Sequence, residues 1–63
     1  MEMTNDWILE LVEQYNDIAG NEGVDEALDH IDIQVYEWMI ENGLNPNNKE
    51  LYDNYIDTIT LNL

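Results

Sequence analysis

Apolar residues recur at steps of three and four along most of this 63-residue chain, which is the period of an α-helix. Two such stretches run up to a glycine, Gly20 and Gly43, and a third follows the turn-forming segment Leu44-Asn45-Pro46-Asn47-Asn48. The chain has no cysteine, so its helices must be held by burying their apolar faces against one another. The sequence therefore predicts a single all-α domain over residues 1–63, built from three helices.

The first two helices have predicted limits and predicted inner faces. The first begins at about Asn5 or Asp6, with Thr4 as a further possible N-cap, and ends at about Ala19. The second runs from about Val24 to Asn42. The inner face of the first helix consists of Trp7, Ile8, Leu11, Val12, Tyr15, Ile18 and Ala19. The inner face of the second consists of Val24, Ala27, Leu28, Ile31, Val35, Trp38 and Met39.

The third helix has two alternative starts. Either Asn45 caps it with Pro46 at the first helical position, or Asn47 caps it with Glu50 three residues later. The helix extends to about Asp57. Its inward residues are Leu51, Tyr52, Tyr55 and Ile56.

The last six residues, Thr58–Leu63, change period. Ile59, Leu61 and Leu63 alternate with polar residues, which is typical of a strand. We therefore expect an extended C-terminal tail. It either continues the helix before becoming an arm, or forms a β-strand on the sheet edge of another molecule.

Acidic residues dominate the charge of the chain. Fifteen Asp and Glu stand against one Lys and no Arg, a formal net charge of −14. On the first helix, four acids at steps of four, three and four share an arc of about 60°, although like charges at this spacing repel by a few tenths of a kcal/mol per pair. These acids are Asp6, Glu10, Glu13 and Asp17. Their helical length of about 16 Å gives one charge per ~5.5 Å, of the same order as the ~3.4 Å per phosphate along the axis of a DNA strand.

The second helix carries an apolar strip on the side away from its inner face. The strip consists of Ile33, Tyr36 and Ile40. Acids flank it, with Asp25, Asp29 and Asp32 on one side and Glu26, Glu37 and Glu41 on the other. The third helix adds Glu50, Asp53 and Asp57 on its outer side. An exposed apolar strip typically marks an interface, and the alternative is that the third helix or the tail covers it.

These acids predict a surface that binds a basic protein. The predicted acidic contacts are Asp6, Glu10, Glu13, Asp17, Asp25, Asp29, Asp32, Glu37, Glu41, Glu50 and Asp53, and the predicted apolar contacts are Ile33, Tyr36 and Ile40. Lys49 is the only basic residue besides His30, so direct binding to nucleic acid or to an anionic membrane is not expected. The alternative interpretation is a solvated face that keeps a small protein in solution.

Other functional classes lack the residues they need. The chain has no Ser and no Cys nucleophile, and His30 is predicted to be solvated or salt-bridged, so we expect no enzyme and no cofactor. Asp25, Asp29 and Asp32 do not follow a calcium-loop pattern, so no specific metal site is expected. No apolar run reaches a membrane span and the N-terminus lacks a basic signal region, which predicts a cytoplasmic protein.

One segment carries a resemblance. Glu50-Leu51-Tyr52-Asp53-Asn54, followed by Thr58-Ile59-Thr60-Leu61, resembles the C-terminal end of small acidic phage anti-CRISPR proteins that block the RNA-guided nuclease of type II-A systems. The match covers about a dozen residues. The family is longer and carries a small antiparallel sheet. The resemblance implies an inhibitor whose acids, here Glu50 and Asp53, occupy the arginine pocket that reads the PAM duplex.

The resulting prediction is a phage-type inhibitor of a bacterial defence protein, of the anti-CRISPR or anti-restriction type. It would act in the host cytoplasm, as a monomer or weak dimer, by mimicking DNA or RNA on a basic nucleic-acid-binding surface. The first alternative is an antitoxin or immunity-like protein that neutralises a basic partner. The second is an acidic homo-oligomer with a structural or assembly role.

Overall fold

The computed structural model describes residues 3–63, and within that range the chain forms three α-helices and no strand. Helix α1 spans Asn5–Asn21, α2 spans Val24–Glu41 and α3 spans Lys49–Thr60. Glu22 and Gly23 join α1 to α2 in an antiparallel hairpin, and α3 packs against both helices. The predicted all-α class with three helices is confirmed.

The predicted signals hold at the start of α1 but not at its end. Thr4 is the N-cap of α1, and its hydroxyl accepts a hydrogen bond of 3.2 Å from the Trp7 amide. Gly20 does not end α1, because the helix continues to Asn21. Gly23 precedes α2 with a φ of 104°, a conformation that favours glycine.

The end of α2 is a glycine-terminated helical stop. Gly43 has a φ of 72°, which only glycine adopts without strain. Its amide donates to the Ile40 carbonyl at 3.1 Å, and the Leu44 amide donates to the Met39 carbonyl at 2.8 Å. This is the hydrogen-bond pair of a Schellman motif, and Leu44 packs against the core as that motif requires. The predicted stop at Gly43 is confirmed.

Both predicted starts of α3 are wrong. The N-cap is Asn48, whose side chain accepts a hydrogen bond of 3.3 Å from the Leu51 amide. Asn45 instead holds the preceding turn, accepting from the Asn47 amide at 3.0 Å through its side chain. The first two asparagines therefore shape the turn, and the third begins the helix.

Of the two alternatives for the tail, the structure agrees with continuation of the helix, because α3 extends to Thr60. The β-strand alternative is wrong, and the last residues lie in a turn rather than in an extended arm. Ile59 is fully buried in the core formed by the three helices, whereas Leu61 is 86% exposed. Ile59 continues the helical spacing of Tyr52, Tyr55 and Ile56. An alternation of apolar and polar residues over only six residues is a weak preference for a strand. Burial of the Ile59 side chain favours the helix more strongly.

The core lies between α2 and the two other helices. Its buried side chains are Ile8 and Leu11 of α1, Ala27, Ile31, Val35 and Met39 of α2, and Ile59 of α3. An aromatic cluster closes one end, where the Trp38 ring centroid lies 5.7 Å from Trp7 and 5.0 Å from Tyr55. Val24 and Leu28, predicted to face inward, are exposed. They lie near the start of α2, at the end of the hairpin away from this aromatic cluster and from α3.

The buried position of Ile59 gives a direct test of the helical tail. Ile59→Ala should lower the free energy of unfolding by about 2–5 kcal/mol, because it leaves a cavity among all three helices. The matched control Leu61→Ala should change it by less than about 0.5 kcal/mol, because Leu61 is in solvent. Urea denaturation followed by far-UV circular dichroism measures both. Equal effects of the two substitutions would contradict the helical packing of Ile59.

Candidate functional site

The acidic stripe of α1 lies on the solvent side of the hairpin. Asp6, Glu10, Glu13 and Asp17 are all exposed, and their spacing places them away from the buried Leu11. The backbone hydrogen bonds of a 17-residue helix hold their Cα positions fixed relative to one another. The stripe is therefore an ordered row of negative charge.

The acids of α2 and α3 are exposed as well. Every predicted acidic contact on these helices lies in solvent: Asp25, Asp29, Asp32, Glu37, Glu41, Glu50 and Asp53. Glu26 and Asp57 share this exposure. Negative charge therefore covers the outer faces of all three described helices.

Helix stability explains only part of this charge pattern. Asp6, Asp25, Glu26 and Glu50 lie in the first turns of their helices, where negative charge interacts favourably with the helix dipole. Among residues 3–63, none of the three helices has a basic residue in its last turn, and Glu41 is the last residue of α2. Acids at these C-terminal ends are unfavourable. A surface arranged only for stability would carry lysine or arginine there.

The apolar strip of α2 is exposed rather than covered. Ile33, Tyr36 and Ile40 are 56%, 48% and 52% exposed, respectively. Helix α3 borders this face through Tyr52 but leaves about half of each side chain of the strip in solvent. The alternative that the third helix or the tail covers the strip is therefore wrong.

Part of the strip forms an open groove at the border of α2 and α3. The groove has a volume of about 360 Å³ and a mostly apolar surface. It is lined by Asp32, Ile33, Tyr36, Glu37 and Tyr52. We call it the tyrosine groove. It brings four predicted contact residues together with Tyr52, which the sequence pattern placed only on the inner face of α3.

Tyr52 connects the two helices at the edge of this groove. Its hydroxyl donates a hydrogen bond of 3.1 Å to the Asp32 backbone carbonyl. Burial raises the pKa of the Tyr52 phenol above its ordinary value, and the negative charges of Asp32 and Asp53 raise it further. The phenol therefore ionises less readily than an ordinary tyrosine, and its hydroxyl is oriented by the Asp32 carbonyl. The spacing of apolar residues alone does not reveal that Tyr52 is only half-buried and lies at the border of α2 and α3.

The other predicted contacts lie outside the tyrosine groove. Glu50 lines a second, smaller groove of about 180 Å³ together with Asn48, Leu51 and Asn54. Of Glu50 and Asp53, the two acids in the segment that resembles anti-CRISPR proteins, only Asp53 contributes to the raised pKa of the Tyr52 phenol. The α1 stripe lines neither groove.

His30 has a structural partner. Its Nε2 lies 2.6 Å from Oε1 of Gln14, a contact that links α1 to α2. The amide oxygen accepts, so Nε2 carries the proton. This interaction replaces the solvated or salt-bridged state predicted for His30. Within residues 3–63, no group of three or more His, Asp or Glu side chains is arranged to hold a metal ion.

No helix in the described part of the chain is long and apolar enough to cross a membrane. Comparison with known proteins gives no match to a family model, to a curated protein or to a solved structure.

The raised pKa of Tyr52 predicts that this phenol ionises at a higher pH than an ordinary tyrosine side chain. Stability from the neutral phenol is fully present below the unfolded tyrosine pKa of about 10, and is lost as pH rises through the higher folded value. Absorbance near 295 nm during alkaline titration should contain a late component. Tyr52→Phe should remove that component. A late component that persists in Tyr52→Phe would contradict the assignment.

The net charge of −14 predicts that salt stabilises the isolated protein. The melting temperature should rise by several degrees between about 20 mM and about 500 mM NaCl, because salt screens repulsion among the exposed acids. The triple variant Glu10→Gln, Glu13→Gln, Asp17→Asn should melt higher at low salt and gain less from added salt. Thermal melts by circular dichroism measure both effects. A melting temperature that falls with salt would contradict the role of repulsion.

Proposed function

We propose that this protein is a phage-type inhibitor that binds a basic, nucleic-acid-binding surface of a bacterial defence protein. In this proposal its carboxylates take the positions of nucleic-acid phosphates, and binding of the inhibitor excludes DNA or RNA. The C-terminal resemblance to anti-CRISPR proteins makes RNA-guided nucleases the first targets to test, and restriction-type nucleases the next.

The observation that supports the proposal most strongly is the rigid row of exposed acids on α1. Asp6, Glu10, Glu13 and Asp17 lie in solvent on one continuous helix, with a spacing of the same order as that of phosphates along a strand. Mutual repulsion of these acids costs stability. A basic target would relieve that repulsion, and the long-range field would accelerate association.

The apolar strip supports a protein partner rather than a purely electrostatic role. Ile33, Tyr36 and Ile40 stay exposed although they form one contiguous face of α2. Apolar anchors within a charged surround are typical of protein interfaces, where the anchors supply affinity and the charges supply rate and orientation. A symmetric dimer through the same strip would place acids against acids.

The test is capture of a target followed by competition. The immobilised protein is exposed to bacterial lysates, captured proteins are identified by mass spectrometry, and a purified target is titrated in the presence of a double-stranded DNA or RNA oligonucleotide. We expect the oligonucleotide to compete with the inhibitor. We also expect the association rate to fall at least about tenfold between about 50 mM and about 300 mM salt.

Matched variants separate charge from shape. Glu10→Gln, Glu13→Gln, Asp17→Asn should weaken target binding about tenfold or more, because it removes three charges of the row. The control Glu10→Asp, Glu13→Asp, Asp17→Glu keeps all three charges and should bind within about threefold of the unmodified protein.

Three results would contradict the proposal. Target affinity that does not change with salt would remove its electrostatic basis. A captured basic toxin that binds no nucleic acid would favour the antitoxin or immunity-like alternative. A stable homo-oligomer that buries Ile33 and Tyr36 at moderate salt would favour the structural alternative.

A further inference from the structure

The tyrosine groove combines three features on one small surface. Its mostly apolar lining includes Ile33, Tyr36 and Tyr52, and the exposed acids Asp32 and Glu37 complete it. The only lysine of the chain, Lys49, does not line it. The groove is thus apolar and aromatic inside, with negative charge at the edge and no lining cation to balance it.

The orientation of Tyr52 fixes which groups the groove offers. Its hydroxyl is held by the Asp32 carbonyl at 3.1 Å, so the ring cannot turn freely. The neutral phenol is a poor ligand for a metal ion, and it leaves the carboxylates of Asp32 and Glu37 as the charged acceptors at the groove. An aromatic wall beside free carboxylates suits an organic cation better than an inorganic one.

Among protein side chains, arginine satisfies all of these features at once. Its planar guanidinium stacks on aromatic rings, its five donors match carboxylates in pairs, and its aliphatic stem packs on apolar surface. Lysine offers the charge and the stem, but its ammonium is more strongly hydrated and does not stack as a plane. A second copy of this chain would bring its own acids to the same rim and is disfavoured by charge.

We infer that the tyrosine groove receives an arginine side chain of a basic partner, with the guanidinium over Tyr36 and within reach of Asp32 and Glu37. The inference rests on the proposed function in one respect, that the partner is basic. The inference specifies that the partner residue bound in the groove is an arginine. It also places this contact at the border of α2 and α3, separate from the row of acids on α1.

The test uses two capped peptides of equal charge, one alternating glycine with arginine and the other alternating glycine with lysine. Each is titrated into isotopically labelled protein and followed by NMR. The arginine peptide should bind about fivefold more tightly, the factor expected for stacking of the guanidinium on an exposed ring. Its chemical-shift changes should concentrate at Tyr36 and Tyr52. Equal affinities, or changes confined to α1, would overturn the inference.

Substitutions at constant charge isolate the ring. Tyr36→Leu keeps an uncharged apolar side chain but removes the ring, and should reduce the ratio of arginine-peptide to lysine-peptide affinity to about one, because the stacking surface is lost. Tyr36→Phe keeps the ring and should preserve the ratio. Tyr36 is half exposed, so neither change should unfold the protein, and circular dichroism checks this. A ratio that survives Tyr36→Leu would overturn the inference.

A second pair isolates the rim. Glu37→Gln and Glu13→Gln remove the same charge, but only Glu37 lines the groove. Glu37→Gln should reduce the ratio of arginine-peptide to lysine-peptide affinity. Glu13→Gln should weaken the binding of both peptides equally and leave that ratio unchanged. Equal changes of the ratio in both variants would count against the groove.

The experiment also separates this inference from the proposed function. If nucleic acid fails to compete for the captured target but the peptide ratio behaves as expected, the proposed function fails and the arginine site stands. If nucleic acid competes for the captured target but the arginine and lysine peptides bind equally well, the proposed function stands and the arginine site fails. Sedimentation at NMR concentration completes the test: a dimer that Tyr36→Leu dissociates would overturn the inference in favour of a second copy.

Discussion

Burial of the inner face of α2 is the interaction on which the rest of this structure depends. Ala27, Ile31, Val35 and Met39 are almost completely excluded from solvent. The last three share one core cluster with side chains of α1 and α3. Burial of each of the three larger side chains stabilises the folded state by about 1.5–3 kcal/mol relative to leaving that side chain in solvent. In a domain of 63 residues with a net charge of −14, this contribution has to offset both chain entropy and charge repulsion.

The same arrangement creates the surface available for binding. Because α1 and α3 occupy adjoining sides of α2, its remaining side stays uncovered and exposes Ile33, Tyr36 and Ile40. Helix α3 borders that face through the Tyr52 hydroxyl, which bonds to the Asp32 carbonyl. The core and the candidate site are thus opposite sides of one helix. A change that shifts α3 would affect both.

Charge has a different relation to the fold. The acids of α1 lie on the side away from the core, so they can be replaced without opening a cavity. Their arrangement in one row is unfavourable for the isolated protein, and the acids near helix C-termini add to that cost. A basic target reverses the sign of both effects. This asymmetry between the free and the bound state is the physical basis for proposing a charge-led inhibitor.

The helices, the stop at Gly43 and the exposure of the acid stripes could be predicted because they depend on local periodicity and on backbone conformation. Asn48 as cap of α3 could not, because three nearby asparagines offer equivalent local capping chemistry. The anti-CRISPR resemblance is a resemblance of sequence only. In the structure Thr58–Thr60 are helical, as the three-helix packing requires, and do not form part of a sheet.

By itself, then, the sequence determined the helical class and the concentration of negative charge in stripes, since both follow from the identity and spacing of residues. Only the tertiary structure decided that Ile59 belongs to the core, that Val24 and Leu28 do not, and that Tyr52 stands beside Ile33 and Tyr36. Those outcomes depend on where α3 lies relative to the hairpin. That position is set by long-range packing of side chains, which no local pattern encodes.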